Sequence, residues 1–266
     1  MRDHFAVKYL RVELLPTSFC PGCGNGTVMN AFLKALEELG YENLKEFVFV
    51  SGIGCSSWIP NPYFKADSIH TLHGRAIPVA LGLKLARPEL NVVVIAGDGD
   101  LASIGLEHLI HAARRNADLL VLMVNNMIYG MTGGQQAPTT PIGFETSTTP
   151  YGNIEKPFDT CAVVAAAGAN YSARWTIAHF HRLKESIKKA MGKRGFRFIE
   201  VVSPCTSHIV RKLKLPVSTY IRQLREKSIL INTGGRGEIT IGEYADRDEE
   251  GFVSRVYEYI NRVRGC

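Results

Sequence analysis

No apolar run in these 266 residues reaches the roughly 18 that a membrane span requires, which argues against a membrane protein. The opening stretch, MRDHFAVKYLRVELLP, lacks the apolar core and small-residue cleavage site of a secretory signal, so a cytoplasmic location is expected. There is no short repeat and no low-complexity tract. In a reducing compartment the six cysteines read as metal ligands or core residues rather than disulfides. What is present is a globular composition, 45 % hydrophobic, long enough for one large domain or two small ones.

Net charge is +6 but unevenly placed: residues 1–173 carry 12 Lys and Arg against 15 Asp and Glu, and residues 174–266 carry 19 against 10. A basic final third suits an acidic protein, an anionic cofactor or nucleic acid, although a solvated face is the commoner meaning. The interleaved aromatics of a single-strand binder are missing.

Strand and helix patterns alternate from about residue 25 to 204. Val28, Met29, Phe32, Leu33, Leu36 and Leu39 recur at helical spacing, and Gly40 ends the run. EFVFVSG, NVVVIAGDGD, DLLVLMVNN and FRFIEVVSP, the last ending at Pro204, are apolar strands of the kind buried on both faces of a parallel sheet. HGRAIPVALGLKLARPE, GLEHLIHAARRN, FDTCAVVAAAGA and TIAHFHRLKESIKKAMGKRG read as helices. A weak strand, EITIGEY, and a helix near EEGFVSRVYEYINRV close the chain. The alternation predicts an α/β fold with a doubly wound, mostly parallel sheet. In such sheets ligands bind beyond the carboxyl ends of the strands. SGIGCSS, AGDGDLASIG and NNMIYGMTGG all fall at such ends, and residues 127–157 form a long loop of the length that is usually functional.

GDGD, Gly97 to Asp100, brings glycines that let backbone approach a phosphate and a following helix that offers N–H donors. Asp98 can hold a hard cation such as Mg²⁺. Asn126 stands 28 residues later, about one strand–helix–strand unit, so the two side chains occupy neighbouring strand tips and can share one Mg²⁺–diphosphate. Either motif alone is an ordinary turn. Cys20 and Cys23 form C-x-x-C, and Cys55 and Cys205 fall on the same sheet edge. Zinc and an iron–sulfur cluster both remain open, the scattered ligands favouring the cluster. Cys161 is a core residue by its helical position, and Cys266 is assigned nothing.

Gly97-Asp98-Gly99 followed by Asn125-Asn126 resembles the thiamine diphosphate motif. That resemblance implies Mg²⁺ ligation by Asp98, Asn126 and the backbone carbonyl of Ile128. The ordered set FCPGCGNG, SGIGCSS, HTLHGRA, GDGD, NNMIYGMTGGQ and PTTP is similar to the β subunit of 2-oxoacid:ferredoxin oxidoreductases over residues 16–208. YGMTGGQ, YGNIEKPFD and ARWT are most like the 2-oxoglutarate branch. The resemblance implies a thiamine diphosphate-binding fold of the pyrophosphate (PP) type and a [4Fe–4S] cluster on Cys20, Cys23, Cys55 and Cys205. It also implies a cofactor lining of Ile53, Gly54, Cys55 and Ser56, of Thr71, Leu72, His73 and Gly74, of Gly99 and Asp100, and of Gly130 and Met131. His73 read alone is equally a helix-capping or core residue; the resemblance makes it a cofactor contact, while His70, His108 and His111 read as structural.

The reaction so implied converts a 2-oxoacid, with 2-oxoglutarate preferred, and coenzyme A to acyl-CoA and CO₂ while reducing ferredoxin. Thr132, Thr139, Thr140, Gln135, Gln136 and Lys156 are the loop groups expected to meet a distal carboxylate. No catalytic residue is assigned. Residues 1–208 are expected to bind cofactor and cluster, and residues 209–266 to form an extension packed on them. The domain that activates the aminopyrimidine ring is expected in a separate α subunit, with further small subunits and ferredoxin as partners; neither nucleic acid nor a membrane is expected. The rivals are a non-oxidative thiamine-dependent decarboxylase subunit, which needs no cluster, and a zinc-stabilised scaffold subunit.

Overall fold

The computed structural model describes residues 4–203, 205–231, 233 and 238–265. Pro204, the expected end of a strand, and Cys266 lie outside the described residues. The elements in chain order are α1 (Asn25–Glu38), β1 (Phe47–Ser51), β2 (Asp67–His70), α2 (Ala76–Ala86), β3 (Asn91–Gly97), α3 (Leu106–Arg115), β4 (Leu120–Asn125), β5 (Ile128–Tyr129), β6 (Gln135–Gln136), α4 (Thr160–Ala167), β7 (Tyr171–Thr176), α5 (Phe180–Met191), β8 (Arg197–Val202), α6 (Val217–Glu226), β9 (Ser228–Leu230), β10 (Ile239–Asp246) and α7 (Phe252–Arg264). Eight strands form one sheet in the order β2-β1-β3-β4-β8-β7-β10-β9. The six from β2 to β7 are parallel, and β10 runs antiparallel to β7.

The central strands are apolar throughout because both faces are covered. Val93 and Ile95 of β3 enter one core with Phe32 and Leu36 of α1 and Leu183 and Ile187 of α5. Val92, Val94 and Ala96 enter the other, with Ala80 of α2, Leu109 of α3 and Val164 of α4. A strand with no wet face needs no polar alternation. The chain leaves β1 toward β2 on one side and β3 on the other, so the winding reverses between β1 and β3. At that switch the connections diverge and open a crevice beyond the strand ends. The turns after β1 and β3, SGIGCSS and GDGD, face each other across it.

Several elements escape the sequence pattern, among them the short β5, β6 and β9. β2, DSIH, is a mostly exposed edge strand with one apolar residue. β7, YSARWT, is fully buried yet carries Ser172, Arg174 and Thr176, so the helix expected from Thr176 starts at Phe180 after a 3₁₀ turn. Arg174 is tolerated there because its guanidinium bonds Glu200 of β8 at 2.9 Å, Asp159 at 2.7 Å and the Tyr244 hydroxyl at 2.6 Å. α6 was unassigned. The chain beyond residue 208 returns to the sheet: β10 pairs with β7, the Val253 N–H bonds Asp118, and the Tyr257 hydroxyl reaches the Leu85 carbonyl at 2.7 Å.

Removing one partner of a buried ion pair strands the other. Arg174→Met is therefore expected to cost about 3–5 kcal/mol, read from denaturant unfolding. A loss below about 1 kcal/mol, the range of an exposed pair, would show that β7 is not held by this pair.

Candidate functional site

Four strand ends build one cavity of about 100 Å³, walled by Ile53, Gly54, Cys55 and Ser56 after β1, His73 after β2, Gly97 to Asp100 at β3, and Asn126 with Ile128 to Thr132 after β4. Two glycines are required by close approach. A Cβ on Gly52 would lie 1.9 Å from Asp100 Oδ2, and one on Gly99 would lie 2.5 Å from the Tyr129 ring. Past Gly99 the chain makes a π-helical turn over Asp100–Ile104, a distortion common at functional sites.

Asp98 is 1 % exposed. Its Oδ1 accepts the Asn126 N–H at 3.3 Å and its Oδ2 the Thr139 hydroxyl, and none of its partners is a cation. Burial pushes its carboxyl up to about 6, against which the Thr139 and backbone hydrogen bonds work. The two asparagines make successive turns: Asn125 Oδ1 accepts from Met127 N–H at 3.0 Å, Asn126 Oδ1 from Ile128 N–H at 3.1 Å. Met127 sits at φ 64°, held by the Thr140 hydroxyl on its carbonyl. Glu200 Oε1 accepts from Asn125 Nδ2 at 2.7 Å, so the buried Arg174–Glu200 pair also fixes this turn.

Asp100 is equally buried. Its Oδ1 accepts Gly74 N–H at 2.6 Å, Ile53 N–H at 3.4 Å and His73 Nδ1–H, tying the loops after β1 and β2 to the end of β3. Oδ2 is buried without a hydrogen-bond partner.

A second cavity of about 270 Å³ adjoins the first and shares Cys55, Asn126 and Met131 with it. Cys20, Cys23, Cys55 and Cys205 all line it. All four are free thiols. Cys55 Sγ and Cys205 Sγ lie 3.8 and 3.4 Å from where a Cβ on Gly130 would sit. Burial, then the Cys205, Cys23 and Cys20 sulfurs, pushes Cys55 up to about 11; burial likewise raises Cys23 and Cys205. Backbone hydrogen bonds work against burial at all three thiols. Among the described residues no three His, Cys, Asp or Glu side chains converge as the ligands of one metal ion. Cys161 is apart from the group, fully buried on α4 with its thiol donating to Glu200 at 3.3 Å.

Of the residues singled out in the sequence, Thr71, Leu72 and Gly74 do not wall the first cavity. Thr71 bonds the Ser51 carbonyl, Gly74 lies behind Asp100, and Leu72 stands on the surface, 80 % exposed. The loop donors are already spent: Thr132 on Gln135, Gln136 on Glu155, Thr140 on the Met127 carbonyl and, outside the loop, Thr139 on Asp98. Tyr129, the first residue of YGMTGGQ, was given no site role from the sequence, yet its hydroxyl bonds the Gly99 carbonyl at 3.1 Å. A basic cleft of about 470 Å³ beside Ile128, lined by His208, Arg211, Lys212 and Lys214, was signalled only by the general basic charge of the final third. No described helix is long and apolar enough to cross a membrane.

A thiamine pyrophosphate enzyme C-terminal TPP-binding domain matches residues 52–201. The chain is 49 % identical to the 2-oxoglutarate synthase subunit KorB of Methanocaldococcus jannaschii, covering 98 % of this chain and 99 % of that one. It is 50 % identical to the KorB subunit of Methanothermobacter marburgensis, covering all of this chain and 95 % of that one. Among solved structures, the 2-oxoglutarate:ferredoxin oxidoreductase from Magnetococcus marinus with 2-oxoglutarate, coenzyme A and succinyl-CoA bound superposes with a TM-score of 0.83 at 32 % identity, covering 99 % of this chain and 92 % of that one.

Proposed function

Since the chain belongs to the thiamine pyrophosphate enzymes, in the family of 2-oxoglutarate:ferredoxin oxidoreductase β subunits, we propose that it catalyses the oxidative decarboxylation of 2-oxoglutarate with coenzyme A, reducing ferredoxin. The observation that carries this reading is the adjacency of the two cavities, one walled by GDG and Asn126 and the other by four thiols, with Cys55 in both walls.

The residues fit the groups that the family implies. Asp98 is a buried carboxylate without a cationic partner, a costly arrangement that a divalent ion relieves. Asp98, Asn126 and the Ile128 carbonyl would hold Mg²⁺, and the backbone at Gly97–Asp100 would take the diphosphate. Four thiols around a space of about 270 Å³ suit a [4Fe–4S] cluster, which is larger than a single zinc ion. Zinc, with Zn–S of about 2.3 Å, draws its ligands tightly together. Bound thiamine diphosphate would supply the nucleophilic carbon and electron sink, and the cluster one-electron transfer. The protein's share is proximity, with Cys55 one residue from Gly54, and an electron exit, since Cys20 is exposed.

A partner subunit is needed in this reading. The first cavity is smaller than the roughly 300–1,000 Å³ of a small-molecule site, and Ile53 and Met131 in its wall and Trp58 in the wall of the second are exposed apolar side chains. An α subunit seated there would cover them and complete the pocket. The basic cleft by Ile128 supports an anionic substrate or coenzyme, its cations coming from the segment after Cys205 rather than from Lys156. The basic final third suits an acidic ferredoxin.

The test is to assemble the complex anaerobically and compare kcat/KM for 2-oxoglutarate, pyruvate and 2-oxoisovalerate with ferredoxin, alongside iron and acid-labile sulfide. 2-Oxoglutarate is expected to lead by tenfold or more, about 1.4 kcal/mol at the transition state. A reversal would refute the substrate, and activity without sulfide would refute the cluster.

A further inference from the structure

The sequence suggests Thr139 and Thr140 as partners of a substrate carboxylate, yet both are buried and neither walls the cavity built on GDG. Thr139 approaches Asp98 from outside that cavity, where it lines a separate space of about 290 Å³ with Asn125 and Arg174. From there its hydroxyl donates to Asp98 Oδ2, while the Asn126 N–H reaches Oδ1 at 3.3 Å. One residue on, the Thr140 hydroxyl donates to the Met127 carbonyl at 2.7 Å and accepts the Ala137 N–H at 2.9 Å. Met127 stands between Asn126 and Ile128, so this bond ties PTTP to the turn that carries both. The far end of the loop closes the arrangement: buried Asn153 donates from Nδ2 to the Thr140 carbonyl at 2.7 Å.

An ionised carboxylate offers about four lone-pair sites. A hydroxyl placed behind it therefore fixes the plane of the group and leaves lone pairs facing the cavity free for a cation. Without that hydroxyl, only the Asn126 N–H on Oδ1 resists rotation of the carboxylate among the side-chain and neighbouring-strand contacts named above. We propose that Thr139 is a positioning residue for the divalent cation: it sets the orientation of the Asp98 carboxylate, and Thr140 and Asn153 hold Thr139 in place. This rests on the reading of Asp98 as a Mg²⁺ ligand. Thr139 touches neither cofactor nor substrate in that reading and acts through Asp98 alone.

The removal of a group that orients a metal ligand costs about 10–100-fold in metal affinity. In the assembled complex, Thr139→Val is accordingly expected to raise the Mg²⁺ concentration that half-saturates thiamine diphosphate binding by roughly 10–100-fold, read by calorimetry at fixed cofactor. Excess Mg²⁺ should restore cofactor binding and return kcat to within about threefold of the parent, since the lost bond orients a ligand and takes no part in the reaction. Thr139→Ala, which brings no extra bulk into the buried site, carries the same expectation. Thr139→Ser keeps the hydroxyl and should stay within about threefold of the parent. In the Asp98→Asn background, Thr139→Val should add less than about threefold, because the carboxylate it positions is gone.

A loop-stabilising role alone would give a further loss in that double variant. Half-saturation within about threefold of the parent for both Thr139→Val and Thr139→Ala, a loss in Thr139→Ser equal to theirs, or additive losses in the double variant would overturn the proposal. Parent binding that is independent of Mg²⁺, or undiminished in Asp98→Asn, would instead overturn the metal reading of Asp98, and the proposal with it.

Discussion

Asp98→Asn is expected to weaken Mg²⁺-dependent thiamine diphosphate binding by roughly a hundredfold or more, since even residues supporting a ligand cost about 10–100-fold in metal affinity. The same change should stabilise the cofactor-free chain at neutral pH. Burial holds the folded-state carboxyl at about 6, above the ordinary 3.8 of an unfolded aspartate. Between those values the folded state binds the extra proton, so stability falls as pH rises from about 4 to about 6 and stays reduced above. A shift of about two units corresponds to roughly 3 kcal/mol. The amide is neutral and isosteric, so Asp98→Asn should melt higher than the parent at pH 7.5 and show a flatter profile from pH 4 to 6. Saturating Mg²⁺ and thiamine diphosphate should reverse the order, because the parent alone then gains binding energy. Calorimetric titration of the complex and melting curves across pH check both halves. Unchanged cofactor affinity would remove Asp98 from the metal position.

The second large effect concerns the thiols. Replacing Cys20, Cys23, Cys55 or Cys205 by Ser one at a time should each deplete cluster iron and sulfide and abolish ferredoxin reduction in the assembled enzyme. Burial and the neighbouring sulfurs raise the Cys55 thiol to about 11, so without a metal this group sits protonated at neutral pH. Iron bonding supplies the energy to deprotonate it, and losing one ligand leaves the cluster open to solvent. Cys55→Ser should be the most severe, since Cys55 also walls the thiamine cavity. Cys161→Ser is the internal control: its sulfur lies on α4 against Glu200, so iron should stay normal and only stability should fall, by about 0.5–3 kcal/mol. Normal iron in Cys205→Ser would remove that ligand, and a zinc signal without sulfide would refute the cluster.

The parallel sheet was legible because its evidence is local. Runs such as NVVVIAG and LVLMVN have no polar face, and only a strand covered on both sides tolerates that. Asp98 and Asn126 could be paired from sequence because one strand–helix–strand unit has a nearly constant length. β7 was not legible: Arg174 in YSARWT reads as a surface residue until Glu200, 26 positions away, and Asp159 neutralise it. Nor could sequence show that Thr139 is spent on Asp98, that Leu72 faces outward, or that Asp100 grips His73. Backbone propensity and side-chain period act over a few residues, and they set which segments become strands and what stands at their ends. Which of those ends meet depends on the order of strands in the sheet, a product of packing both cores at once. That Cys55 and Cys205, 150 residues apart, line one cavity was decided there.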